Sequence, residues 1–131
     1  MHLETERLII RPWKDEDREP FARLNADRQV MRYFPSVLTR EKSDALIEIA
    51  LERTSTDGFC FSPIEEKATG AFLGFVGLSR PRYTKPLPFD PCVEIGWRLA
   101  RSAWGHGFAT EAADVELAFD VIREMADGLG A

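Results

Sequence analysis

The chain has 131 residues, 44% of them hydrophobic and 30% charged, a composition that excludes disorder, collagen and a disulfide scaffold and predicts one domain over residues 1–131. Seventeen Lys and Arg against twenty-two Asp and Glu give a net charge of −5, which lacks the global basic field of a nucleic-acid binder. No run approaches the roughly 18 apolar residues that span a bilayer, and the charged start Met-His-Leu-Glu-Thr-Glu-Arg does not read as a signal peptide. The expectation is a cytoplasmic protein with neither a membrane nor a nucleic acid as partner.

Residues 6–13 (ERLIIRPW) are β-branched, bounded by charge, and predict a first strand. Asp15 is the expected N-cap of a following helix, with Glu16 and Asp17 at the positive end of its dipole and Phe21 and Leu24 opening its apolar stripe. A short aromatic segment, Val30 to Phe34, ends at Pro35. Thr39 is the expected cap of a second helix over 40–55, with Ala45, Leu46, Ile49 and Ala50 as its apolar positions and Asp57-Gly58 marking its end.

Strand candidates 59–65 and 71–79, joined by a turn that ends at Gly70, predict a hairpin. Gly74 and Gly77 inside the second strand point to a bulge or to close approach by another backbone or a ligand. Residues 80–91 carry four of the eight prolines and predict a stiff loop. Strand 92–100 (CVEIGWRLA) follows, with Val93, Ile95, Trp97 and Leu99 on one face and Cys92, Glu94, Gly96, Arg98 and Ala100 on the other. A last helix over 108–126 stacks Phe108, Ala112, Val115, Phe119, Ile122 and Ala126, with Glu116, Asp120, Arg123 and Asp127 to one side of that stripe. Cys60 and Cys92 lie in apolar runs with no metal or redox spacing and are expected to be reduced core residues.

The segment that carries chemistry is strand, glycine turn, helix: 92–100, Gly105-His106-Gly107, then 108–126. The first N–H groups of a helix have no partner within it, the dipole adds positive character, and two glycines let the backbone close on phosphate oxygens. A pyrophosphate fits such a turn, although a bare GxG also serves as a plain connector. A GxxxxGK[ST] phosphate loop is absent, and a GxGxxG dinucleotide fingerprint would need glycine at Thr110.

The run PCVEIGWRLARSAWGHGFATEAA, together with ETERLIIRPW, NADRQVMRYFP and GAFLGFVGL in the same order, resembles the GNAT acetyltransferase superfamily in its ribosomal-protein N-acetyltransferase-like branch. The superfamily pattern [Q/R]xxGx[G/A] is met at Gly105 and Gly107, while Ser102 stands at the Gln or Arg position and Arg101 precedes it. The resemblance implies an α/β (α+β) fold built on a mixed, mostly antiparallel sheet with flanking helices, and an enzyme that moves acetyl from acetyl-CoA to an amine without a metal. It further implies that the main-chain amides of Trp104, Gly105, His106, Gly107, Phe108 and Ala109 cradle the CoA pyrophosphate. Thr110 adds a hydroxyl, and the strand at Trp97, Arg98 and Leu99 bonds the pantetheine amides. The acceptor is a protein N-terminus or a small molecule.

Glu94 is the candidate base, acting directly or through water, since desolvation on a central strand would raise its pKa toward a useful value. The competing reading is a structural carboxylate paired with a cation from another element. His106, between the glycines, is expected to be exposed turn filler, and Trp97 and Trp104 also suit plain packing. The resemblance implies further strands after the last helix, and with them the thiolate's proton donor. Tyr33 and Tyr83 both precede the motif, so neither takes that role. The chain is therefore expected to be an incomplete domain: a fragment, a homodimer completed through an open sheet edge, or a non-catalytic module that binds CoA weakly or only mediates association.

Overall fold

The computed structural model describes residues 2–79 and 94–128. Its elements are β1 (Leu3–Glu4), β2 (Leu8–Ile10), α1 (Arg18–Ala26), α2 (Arg40–Asp57), β3 (Ser62–Glu66), β4 (Phe72–Ser79), β5 (Glu94–Leu99) and α3 (Phe108–Gly128). The five strands form one sheet in sequence order, every neighbouring pair antiparallel. This is the expected fold class. The proline-rich 80–91, Cys92, Val93 and Tyr83 lie outside the described residues.

Two apolar clusters sandwich the sheet. On one side Phe108 and Ala112 of α3 pack on Leu8, Ile10, Ile64, Val76 and Leu99; on the other Phe21, Leu24 and Ile47 of α1 and α2 pack on Phe75. In the second cluster Phe21 lies 4.9 Å from Trp13 and 5.9 Å from Phe75, centroid to centroid, and the Trp13 indole donates to the Phe61 carbonyl at 2.9 Å. Strict alternation would put Phe72 and Phe75 on opposite faces, yet both reach this cluster. The cause is a bulge: the β3–β4 register shifts where Ile64 pairs Gly74 and Glu65 pairs Phe72. Gly74 sits there at φ +145°, and a Cβ on it would fall 2.0 Å from the Arg98 carbonyl oxygen, so only glycine fits. Bulge and close backbone approach, alternatives from the sequence, coincide at this residue.

Three local expectations are corrected. Asp15 does not cap the first helix: it is exposed and pairs with Arg18, while Asp17 accepts the Lys14 N–H at 2.8 Å after a single 3-10 turn. Asp17 is drawn inward by the buried Arg11, whose guanidinium it grips at 2.8 and 3.0 Å while Glu65 takes Nε at 3.0 Å. Helix α2 is capped by Thr39 as expected but buries Ser43, Ile47 and Ala50 and leaves Ala45 and Ile49 exposed. The reason is polar. Ser43 accepts a bond from the fully buried Asn25 of α1, which fixes the rotation of the helix. On α3, Glu116 is fully buried instead of lying beside the stripe, because it follows Phe108 and Ala112 at four-residue spacing on the inward face.

Candidate active site

Strand β5 pairs with β4 along one side. The Ala100 N–H donates to the Leu73 carbonyl at 2.9 Å, so by the alternation of an antiparallel ladder Arg98, Gly96 and Glu94 turn their backbone groups toward β4, and Leu99, Trp97 and Ile95 turn theirs away. The Leu99 carbonyl is taken by the Trp104 indole at 3.0 Å. Among the described residues, the backbone of Trp97 is therefore the part of this edge best placed to bond an extended amide-bearing chain.

From β5 the chain makes a 3-10 turn at Arg101–Ala103, passes Gly105 and Gly107 at φ +79° and +77°, and enters α3. Neither glycine is there for space: a Cβ on Gly105 meets nothing within 4 Å and one on Gly107 meets only an Arg7 nitrogen at 3.7 Å. Both are there for the left-handed backbone, which gathers successive N–H groups into an anion-binding concavity. The Trp104 N–H is already spent on the Arg101 carbonyl at 3.1 Å, and the Glu111 N–H closes the first helical bond to Gly107. The amides from Gly105 to Thr110 lie between these two and bond no described residue.

Arg7 holds this turn in place. Its Nε donates to Glu111 at 2.8 Å, its backbone N–H to the same carboxylate at 3.1 Å, and a terminal nitrogen to the His106 carbonyl at 2.9 Å, with the guanidinium 4.4 Å from the Phe108 ring centroid. The peptide is planar and trans, so turning the His106 carbonyl to Arg7 points the Gly107 N–H the opposite way. Thr5 also donates to Glu111. Desolvation would raise the Glu111 carboxyl, but the bonds from Thr5 and Arg7 outweigh it and hold the carboxyl below its usual range. This clasp was not foreseen from the sequence; the signal was present only as a Thr-Glu-Arg and an Ala-Thr-Glu-Ala a hundred residues apart.

A cavity of about 340 Å³ opens over the turn. Every residue expected to contact CoA lines it except His106, and Val30, Phe34 and Ala103 join them. The His106 ring instead rests beside Phe108, with centroids 5.4 Å apart, on the exposed outer side. Among the described residues, no acidic side chain lines this cavity. Arg101, one place before the Gln or Arg position of the superfamily pattern, is engaged by Asp27 at 2.7 Å and lines a different cavity. With Arg101 held by Asp27 and Arg7 by Glu111, the turn itself presents backbone N–H groups. Glu94 opens β5 opposite Ser79, and its side chain lies outside the described part of the structure. No cluster of metal-ligating side chains occurs among the described residues.

A five-stranded antiparallel sheet whose last described strand runs through a glycine turn into a helix is the fold found in the known proteins this chain is similar to. The sequence model of the Acetyltransferase (GNAT) domain matches residues 7–125, and the chain belongs to that family. An uncharacterized protein of Bacillus subtilis (strain 168), YkkB, is 30% identical over 112 residues; the match covers 85% of this chain and 63% of that relative's length. Among solved structures, an acetyltransferase from Agrobacterium tumefaciens str. C58 superposes with TM-score 0.74 at 25% identity, covering 94% of this chain and 69% of its own. A GNAT-family acetyltransferase from Bacillus anthracis superposes at 0.73 and 24%, covering 96% and 69%.

Proposed function

We propose that the chain, which resembles the ribosomal-protein branch, transfers acetyl from acetyl-CoA to an amine, on a protein N-terminus or a small molecule. The observation that carries this reading is the run of N–H groups from Gly105 to Thr110 that bond no described residue, opening on a cavity lined by no described carboxylate and continuous with the Trp97 edge of β5. Such a turn suits a pyrophosphate, and such an edge suits the pantetheine amides. Bound acetyl-CoA would supply the activated acyl group. Glu94 would accept the amine proton, directly or through water, as the new C–N bond forms; the C–S bond breaks, and CoA leaves as the thiol once the thiolate is protonated.

The β5 edge also supports pairing with a second copy of the chain in a cytoplasmic homodimer. Equilibrium sedimentation at micromolar concentration checks this, and a sharp monomer with a cooperative melt overturns it.

Calorimetric titration with acetyl-CoA tests the main reading. Binding is expected, and none at millimolar donor overturns it. Thiol release across a panel of peptide N-termini and small amines then reads turnover, and binding with no release from any amine returns the chain to a non-catalytic module. Glu94→Gln is expected to lower turnover by about 100-fold or more with acetyl-CoA affinity retained, within the usual range for losing a general base. A wild-type rate would make Glu94 a structural carboxylate.

A further inference from the structure

A second cavity, about 200 Å³, lies between α1, α2 and the sheet. Trp13, Phe21, Phe61 and Phe75 line it together with two arginines, Arg53 and Arg98, and among the described residues no Asp or Glu contributes to its wall. Arg53, from α2, is half-buried and makes no hydrogen bond or ion pair with any described residue. Arg98 has its guanidinium carbon 4.6 Å from the Phe34 ring centroid and 5.2 Å from that of Phe75. One terminal nitrogen donates to the Asn25 side-chain oxygen at 2.5 Å, and its Nε is buried without a partner. Burial holds the Arg98 guanidinium below the usual arginine value, with no carboxylate to oppose the effect.

Elsewhere in the fold the chain itself neutralises a buried arginine: Arg11 is gripped by Asp17 and Glu65. Arg98 and Arg53 have no such partner among the described residues, and what they face is an apolar space large enough for a ligand. An apolar cavity of about 150 Å³ accepts a benzene ring, so this one admits a ring with a short chain. A carboxylate is the group that matches a guanidinium in charge and in its paired N–H geometry.

We propose that this cavity binds an organic carboxylate with an apolar body, its charge held by Arg53 and Arg98 and its body set against the aromatic rings. Arg98 stands in the walls of both cavities, so a ligand bound to it borders the acetyl-donor site. Resting on the acetyl-transfer reading, that ligand is the acceptor: an amine that also carries a carboxylate, such as an amino acid with a bulky apolar side chain.

The test uses 3-phenylpropionate, which has no amine and cannot be acetylated, titrated calorimetrically into the chain. Binding is expected, at least about tenfold tighter than to the neutral 3-phenylpropionamide, the loss associated with one charge-assisted hydrogen bond. Arg53→Gln, on a partly exposed helix face, is expected to melt as the wild type and to weaken the acid at least about tenfold while leaving the amide unchanged. Arg98→Gln is expected to do the same. Equal affinity for acid and amide, unchanged affinity in Arg53→Gln, or no binding of the acid at millimolar concentration overturns the proposal.

Acetyl-CoA titration reads the donor site separately. A chain that binds the acid but not acetyl-CoA keeps the carboxylate site and ends the acetyl-transfer reading; one that binds acetyl-CoA but not the acid does the reverse. In turnover, KM for phenylalanine is expected to lie at least about tenfold below that for phenylalanine amide, and Arg53→Gln is expected to erase the difference. A difference that survives the substitution overturns the acceptor assignment.

Discussion

At the glycine turn, Arg7 is met by Glu111, by the His106 carbonyl and by the Phe108 ring, all from the chain itself. Across the sheet, Arg53 and Arg98 line a cavity with no acidic residue in its wall among the described residues. The first region is assembled in advance, so an anion arriving there meets amides already aimed and has little ordering to impose. The second is left with charge in excess, and a desolvated guanidinium is costly until something supplies the opposite sign. The two regions thus differ in where the opposite charge comes from: at Arg7 the chain supplies it through Glu111, and at Arg53 and Arg98 no described carboxylate does.

Asp17→Ala breaks that comparison most forcefully, because it turns Arg11 into a buried cation short of its main partner. A loss of about 3–5 kcal/mol is expected in denaturant unfolding, the usual cost of removing one partner of a buried pair. A loss below about 1 kcal/mol would mean that an unpaired arginine is cheap in this fold, which would weaken the significance given to Arg98.

Glu116, on the α3 side, is a fully buried carboxyl whose two oxygens bond no described residue. Burial pushes its carboxyl up from 4.5 to about 7. Between those values the unfolded chain releases a proton that the folded chain keeps, so stability falls as pH rises through the window and levels off above about 7. The total is about 3 kcal/mol at most. Glu116→Gln, which cannot ionise, is expected to flatten the melting temperature across that window; an unchanged slope would assign it to another group.

Gly107→Val forces a β-branched residue into the left-handed region, a strain of about 1–3 kcal/mol, and is expected to weaken acetyl-CoA about 10- to 100-fold while leaving 3-phenylpropionate binding intact. Loss of both would show that the two cavities are one site. Glu111→Gln is the mildest change, about 1 kcal/mol or less, since the Arg7 side chain is 43% exposed and its charge is screened by solvent. Acetyl-CoA affinity is expected to drop a few-fold. Because the Glu111 carboxyl is held low, its contribution is present at neutral pH and lost on acidification, opposite in sign to that of Glu116.

Much of this was legible in the residues. Alternation in 92–100 places Trp97 and Leu99 on one face and Arg98 on the other; Thr39 announces α2; Gly105-His106-Gly107 before an amphipathic run announces the anion turn. Illegible were features that depend on which distant segment arrives. Asp15 and Asp17 are equivalent as caps until Arg11 closes on one of them. Glu116 reads as a flank because a helical wheel has no neighbours, and α2 reads with the wrong inward face because the Asn25–Ser43 bond that rotates it spans 18 residues.

The sequence by itself determined the family and the glycine turn before α3, because glycine's access to left-handed backbone and the orphan amides of a helix start are local properties of a few consecutive residues. Only the tertiary structure decided which charges are paired. Arg7, Arg11, Arg53 and Arg98 are alike in sequence, and their differences arise from what packs beside them: a carboxylate for the first two, aromatic rings and an open cavity for the others.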